Sequence, residues 1–281
     1  MRISRLLFTV LIFFVLTACK PPPQVEKSAE PSAPANTQSG DVEANNVAND
    51  CKFILGFDVW EPYQYVDVAG NVGGLDVEVI TAVVKEMGCD ISYRHGTWIR
   101  SLEKLRNGEV DMLLGASKTG AREEYALFSD AYRKEEFSLY IRKDDEKHRA
   151  YQTIDSFIEN GSRIGIVDGY YYGPTISLLL DGTATSKFFM TSIIGELNVA
   201  RLLDQDIDGF LEDSFIGASI LRRKGLSDYI VAHGLTIQTG DIYVMFSKES
   251  VTAEQVANFN AALTKVKGRA QYADIMHKYG L

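Results

Sequence analysis

Residues 113 to 122 read Leu-Leu-Gly-Ala-Ser-Lys-Thr-Gly-Ala-Arg and gather groups able to hold an anion. Ser117 and Thr119 offer hydroxyls, the backbone at Gly115 can come close to a ligand, and Arg122 presents a planar fork suited to a carboxylate. The apolar run 110–114 predicts a buried strand just before them, and open α/β sheets bind ligands where such a strand spills into small residues. A second group, residues 58–65, mixes Asp58 and Glu61 with the aromatic faces of Trp60, Tyr63 and Tyr65. A third sets Tyr170, Tyr171 and Tyr172 in one loop between Gly169 and Gly173. Catalytic chemistry finds less support. His95, His148, His233 and His277 are scattered without metal-ligand spacing, no Ser-His-Asp or Cys-His pattern is visible, and Glu61 is the only acid to nominate. The residues point to binding without turnover, and to neither metal nor cofactor.

These groups need a scaffold. Residues 52–57 predict a buried strand, followed by a glycine turn at 71–75. Asp76 reads as the N-cap of a helix with apolar positions 77, 80, 83, 84 and 87 on one face and Gly88 as its stop. A strand at 91–95, a helix at 98–107 and a strand at 110–114 complete β-α-β-α-β, which predicts a parallel sheet. After a strand at 136–143 and a charged crossing at 144–149, the pattern restarts. Strands are expected at 163–167, 188–190, 207–211 and 229–232, with helices at 174–180, 194–204 and 214–224. A strand at 243–247 precedes a helix opened by Thr252 with Gln255 as a capping box, and a last helix covers 269–279. The predicted class is α/β with two lobes, each a mostly parallel sheet flanked by helices. Residues 51–141 form the first lobe, 142–236 the second, and 237–281 return to the first. The chain then crosses between lobes twice, near 141–144 and 234–240, which makes a hinge, and the cleft between lobes is the expected ligand site.

Composition narrows the function further. The chain has 281 residues, enough for two lobes, and 29 Lys and Arg against 38 Asp and Glu, which argues against a nucleic-acid partner. Arg2 and Arg5 precede an apolar run at 6–16, too short for a membrane span and suited to a signal peptide over residues 1–18. The tail Leu-Thr-Ala-Cys at 16–19 resembles a bacterial lipobox, which implies cleavage before Cys19 and lipid on its thiol. Residues 19–50, rich in Pro, Ser, Ala and Asn, read as a disordered tether. Cys51 and Cys89 open the first and second strands. In a right-handed βαβ unit those starts lie side by side, so a Cys51–Cys89 disulfide is expected in an exported chain.

Together these features resemble bacterial extracellular solute-binding proteins of family 3, which deliver polar amino acids to ABC transporters. The resemblance rests on Gly56-Phe57-Asp58 with Pro62-Tyr63, Gly74-Leu75-Asp76, Gly108-Glu109-Val110-Asp111, and Ser117 through Glu123 with Phe128-Ser129. It continues in Gly165-Ile166-Val167 with Gly169, and Asp206-Ile207-Asp208-Gly209 with Asp213. It implies the periplasmic-binding-protein fold (type II), in which two lobes close on an amino acid. It assigns Arg122 to the ligand α-carboxylate, with Ser117, Thr119 and the Gly115 backbone beside it, and Asp213 to the α-ammonium. Trp60 falls where the family has an aromatic that covers the ligand, with Tyr63 and Tyr65 as alternatives for that role; Trp98 falls at a family core position that can face the cleft, and Tyr170, Tyr171 and Tyr172 replace a loop of smaller residues. Asp58 matches a position that meets cationic side chains, a lean toward Lys, Arg or ornithine. The resemblance also implies a monomer, an ABC permease as partner, and a periplasmic or cell-surface location held to the membrane by lipid alone. A dehydratase-type enzyme on the same fold and a ligand-sensing partner of a signalling protein are the rival readings.

Overall fold

The computed structural model describes residues 51–279. The expected signal peptide, the lipidation site Cys19 and the tether lie outside the described residues.

The first sheet wing grows from β1 (Lys52–Phe57), in which Phe53, Leu55 and Phe57 are all buried. A small hairpin follows, β2 (Tyr65–Val66) with β3 (Val72–Gly73), then α1 (Leu75–Glu86), β4 (Asp90–His95), α2 (Trp98–Arg106) and β5 (Met112–Ser117). β1 lies between β4 and β5 and runs parallel to both. Lys52 pairs with Asp90, so the preceding residues, Cys51 and Cys89, sit side by side and are joined in the expected disulfide. β5 runs on to Ser117, past the predicted end at 114. The cause is a long-range partner: Ala116 and Ser117 pair with Tyr243 and Ile242 of a late strand. A bulge follows in that ladder between Tyr243 and Met245, and Gly115, at φ +73°, takes the left-handed turn it needs.

The chain continues through α3 (Gly120–Glu123), β6 (Ala126–Phe128) and β7 (Arg133–Arg142). The stretch expected as a charged crossing holds a short helix, α4 (Glu146–Arg149). α5 (Ile154–Glu159), capped by Thr153, had no expectation in the sequence. Then come β8 (Ile164–Val167), α6 (Gly173–Asp181), a 3₁₀ turn at Ser186–Phe188, β9 (Phe189–Ser192), α7 (Gly195–Leu203), β10 (Gly209–Asp213) and α8 (Ser214–Lys224). β8 lies between β9 and β10, parallel to both, and forms a second parallel wing.

The wings are joined by two antiparallel strands. β11 (Ile230–Ser247) was expected as two strands, 229–232 and 243–247, but is continuous over 18 residues. It pairs with β7 along nearly all of β7 and absorbs two irregularities next to Gly234 and Gly240, both at positive φ. The result is one nine-stranded mixed sheet in the order β4-β1-β5-β11-β7-β10-β8-β9, with β6 beside β11. From Phe137 onward β7 also pairs with β10.

The last helices, α9 (Ala253–Lys267) and α10 (Ala270–Lys278), bury Val256, Phe259, Leu263, Val266 and Ile275 in one core with Val77, Ile80 and Val83 of α1. Both bonds of the Thr252–Gln255 capping box are present. Asp76 is not the cap of α1. Gly74 holds that position, and a side chain there would strike the backbone carbonyl of Tyr63. Asp76 lies in the first turn, fully buried, where its Oδ1 accepts from Arg133 Nε at 3.0 Å and its Oδ2 from Arg133 Nη2 at 3.3 Å.

Candidate functional site

α3 begins directly after β5, and Thr119 caps it by accepting from the Arg122 backbone N–H at 3.3 Å. That cap sets the direction of the Arg122 side chain. Its guanidinium is buried, with the residue 8% exposed, and donates to Ser117 O at 2.7 Å and to Gly169 O at 2.9 Å. No carboxylate comes within 4.0 Å of it among the described residues. Burial pulls its pKa down from the usual value. It also lies over the Trp98 ring, 5.5 Å from its centroid. A buried guanidinium held by carbonyls and an aromatic face keeps spare donors, the provision an incoming carboxylate would use.

Arg122 opens onto a narrow cleft with a cavity volume of about 30 Å³. Asp58, Trp60, Trp98, Gly115, Ser117, Tyr170 and Tyr171 line it, as do Gln64 and Glu135. Its walls come from both wings. Trp98 Nε1 donates to Gly169 O at 3.0 Å, and the Tyr170 ring stands edge-on between Trp60, at 5.9 Å, and Trp98, at 6.2 Å. Asp58 holds the start of α2 by accepting from Trp98 N at 3.2 Å and also accepts from Val59 N at 2.8 Å. It orders its loop and faces the cleft at once, and burial raises its pKa.

A second cavity lies on the other side of Trp60 and Tyr170. Asp58, Glu61, Glu196, Glu212 and Arg223 are among its lining residues. Arg223 Nε pairs with Glu61 Oε2 at 3.2 Å. Glu212 on β10 is 1% exposed and accepts from the Asp213 backbone N–H at 3.1 Å. Burial, with Asp213 adding to it, pushes the Glu212 pKa to about 8. Burial likewise lifts Glu135 to about 7 and Asp213 to about 6, with Arg133 opposing both shifts.

The histidines do form one relay that the sequence did not reveal. His148 Nδ1 lies 2.7 Å from Asp145 Oδ2, and His148 Nε2 lies 3.0 Å from Ser162 Oγ. Ser162 is 2% exposed and lines neither cavity, so the trio braces α4 against the body of the protein. No group of three or more His, Cys, Asp or Glu among the described residues could hold a metal ion.

The model of the bacterial extracellular solute-binding proteins, family 3, matches residues 53–281. The chain belongs to that family. It is 26% identical over 224 residues to a probable histidine-binding protein of Neisseria gonorrhoeae, covering 78% of each chain. It is 27% identical over 250 residues to the arginine-binding extracellular protein ArtP of Bacillus subtilis strain 168, covering 87% of this chain and 92% of that one. Among solved structures, a histidine kinase sensor domain with similarity to periplasmic binding proteins superposes with a TM-score of 0.70 at 19% identity, covering 82% of this chain and 96% of that one. The two-lobed fold of periplasmic binding proteins is therefore this chain's fold.

In this family 3 protein the expected site residues divide into two sets. Arg122, Ser117, Gly115, Asp58, Trp60, Trp98, Tyr170 and Tyr171 meet at the main cleft. Three do not line it. Thr119 Oγ1 is engaged in the α3 cap. Tyr63 is buried under the Arg133 guanidinium, 3.8 Å from its ring, and its hydroxyl donates to Asp213 Oδ2 at 3.3 Å. Asp213 Oδ1 caps α8 by accepting from Phe215 N at 2.9 Å and Ile216 N at 3.1 Å, so this carboxylate faces its helix and Tyr63. The Gly115 N–H, expected to be free for a ligand, donates to Tyr132 Oη at 2.9 Å. Glu135 and Glu212 were not anticipated. Both sit on strands among polar neighbours, Lys134-Glu135-Glu136 and Glu212-Asp213-Ser214, which read as solvated surface.

Proposed function

We propose that this solute-binding protein captures an amino-acid-like zwitterion, with a preference for a cationic one, between its two lobes. The observation that carries the reading is Arg122, a buried guanidinium without a carboxylate partner among the described residues, opening onto a cleft walled by both wings. The α-carboxylate takes the spare donors of Arg122 beside Ser117, in the bidentate geometry that favours Arg over Lys. Trp60, Trp98 and Tyr170 cover the carbon skeleton. Asp58 draws the cationic end, and Asp213 adds negative potential from behind Tyr63. The histidine- and arginine-binding relatives support the cationic preference. Because the two ends of the ligand meet opposite wings, binding favours the closed arrangement.

In the same reading the chain is a monomeric lipoprotein, anchored through Cys19 and its tether at a bacterial membrane on the periplasmic or outer side, and passes its ligand to an ABC permease. A thermal-shift panel on the purified full chain tests the site. The twenty amino acids, ornithine, polyamines and small dicarboxylates would be screened, since a bound ligand raises the melting temperature by mass action. Basic amino acids are expected to stabilise the protein, and polyamines, which lack a carboxylate for Arg122, are expected to do nothing. Absence of a shift with every amino acid would end this reading.

A further inference from the structure

We infer that Glu135 and Glu212 are the cation-taking carboxylates of this site, and that each gives up a proton when a ligand cation arrives. The inference rests on the amino-acid reading above and names the ligand class more closely: an α-amino acid bearing a second cation on its side chain.

Glu135 on β7 is 5% exposed and lines the same cleft as Arg122. Thr239 Oγ1 donates to its Oε2 at 2.9 Å. The nearby cation Arg133 is committed to Asp76, and no cation lies within 4.0 Å of Glu135 among the described residues. Glu212 stands across the Trp60–Tyr170 wall, in register with Ser138 of β7. Its Oε2 presses on Gly195 in the first turn of α7, where any side chain would collide with it. It too has no cation within 4.0 Å among the described residues, since Arg223 is held by Glu61 and reaches only Glu196, at 4.0 Å. The Trp60 indole N–H is buried beside Glu212, lines both cavities and opposes the rise of the Glu212 pKa. Two buried carboxylates with no cation within 4.0 Å among the described residues mark a site built for charges the chain does not supply.

The two cavities share Asp58, Trp60 and Tyr170, so they are compartments of one site. Arg122 fixes the carboxylate end. Glu135, in the same compartment, meets the α-ammonium. The other compartment, lined by Glu212, Glu196, Asp58 and the Glu61–Arg223 pair, meets the side-chain cation, with Asp58, which lines both compartments, drawing it there.

The surroundings explain why protons are exchanged. Glu135 faces Arg133, Arg122, Asp76, Asp213 and Thr239. Glu212 faces Asp213 on its own strand, Glu196 on α7, Tyr140 on β7, and Tyr170 and Tyr172. Burial lifts the two acids to about 7 and about 8, so near neutrality each spends much of its time protonated. An arriving ammonium or guanidinium favours the carboxylate. The O–H bond of the acid breaks, its proton passes to the buffer, and an ion pair forms without any covalent bond to the ligand.

Titration calorimetry of the full chain at pH 7.5, in phosphate and in Tris, would read this exchange directly, because the two buffers take up protons with different heats. Arginine and citrulline, its uncharged counterpart, are the probes. Arginine is expected to bind at least about tenfold tighter than citrulline and to release protons. Glu212→Gln should bind the two within about threefold and lose the extra release seen with arginine. Glu135→Gln should weaken both and lose the release they share. Glutamine stands in for the protonated acid, and a melting temperature near that of the parent would show each variant folded. If both probes bind but heats match in the two buffers, or if the variants keep the parent's preference and release, the inference falls while the amino-acid reading stands. If neither arginine nor citrulline binds, the amino-acid reading falls and takes this inference with it.

Discussion

Arg122 and Arg133 are both buried guanidiniums eleven residues apart in sequence, yet they are in opposite situations. Arg133 is clamped bidentately by Asp76, and its raised pKa reflects that partner and the tyrosines around it. Arg122 donates only to carbonyls among the described residues and lies over the Trp98 ring. Removing either should therefore be read by a different instrument. Arg122→Ala is expected to cost ligand affinity by ~2–3 kcal/mol or more, measured by calorimetry with arginine, since it strands the ligand carboxylate; unaltered affinity would take Arg122 out of the site. Asp76→Asn should leave an unpaired buried cation and destabilise the fold by roughly 3–5 kcal/mol in a denaturant titration. Legibility at this scale followed local context. Arg122, Ser117, Trp98 and Tyr170 stood out because they sit at or beside the junctions between elements, where polar and aromatic residues call for an explanation. Glu135 was hidden beside Lys134 and Glu136, since alternation along a strand cannot tell which of two adjacent acids turns inward. Asp76 was misread for a related reason: an acid at the start of an apolar helical stripe has the signature of a cap, and only the approach of β7 reveals its partner.

Elements whose pairing is local were readable, and those decided by distant partners were not. The β-α-β-α-β order, the β1–β4 neighbours and the capping box on α9 follow from nearby periodicity. The continuity of β11 does not, because Gly234 and Gly240 look like breaks until β7 runs alongside them. Helix α5 escaped because it is six residues long, too short to show a period. The disulfide joins residues 38 apart and ties the start of β1 to that of β4. Closing a loop of that size is worth about 3–4 kcal/mol in the chain-entropy picture. Replacing both cysteines with serine is expected to lower stability by about that amount in chemical denaturation, with affinity for arginine unchanged, as neither cysteine lines the cleft. A melting curve identical to the parent's would show that the bridge adds nothing.

For the molecule as a whole, buried acids set the response to pH. Glu135 and Glu212 titrate near 7 and 8 in the folded protein and near the ordinary carboxylate value of about 4.3 once unfolded. Between those limits the folded chain holds more protons than the unfolded one, so the unfolding free energy falls as pH rises. Scanning calorimetry without added amino acid should therefore find a melting temperature that declines from about pH 5 to pH 8.5, at roughly 2–4 °C per kcal/mol for a domain this size. The decline should flatten in a Glu135→Gln, Glu212→Gln double variant, and a rise over that range in the parent would contradict the assignment. Asp67, Glu86 and Asp145, whose pKa values are lowered, act in the opposite sense and only in acid, below that window. The order of the strands also bears on how the polypeptide is made. β5 has β1 on one flank, but its other flank is closed by residues 242–246, which leave the ribosome long after β5 itself. Until then the amino-terminal wing carries a bare edge, and no truncated product ending before residue 230 can cover it. Nascent chains of this protein should thus stay loose until synthesis is nearly finished, and prematurely terminated ones should be cleared by proteases or aggregate instead of surviving as half-molecules.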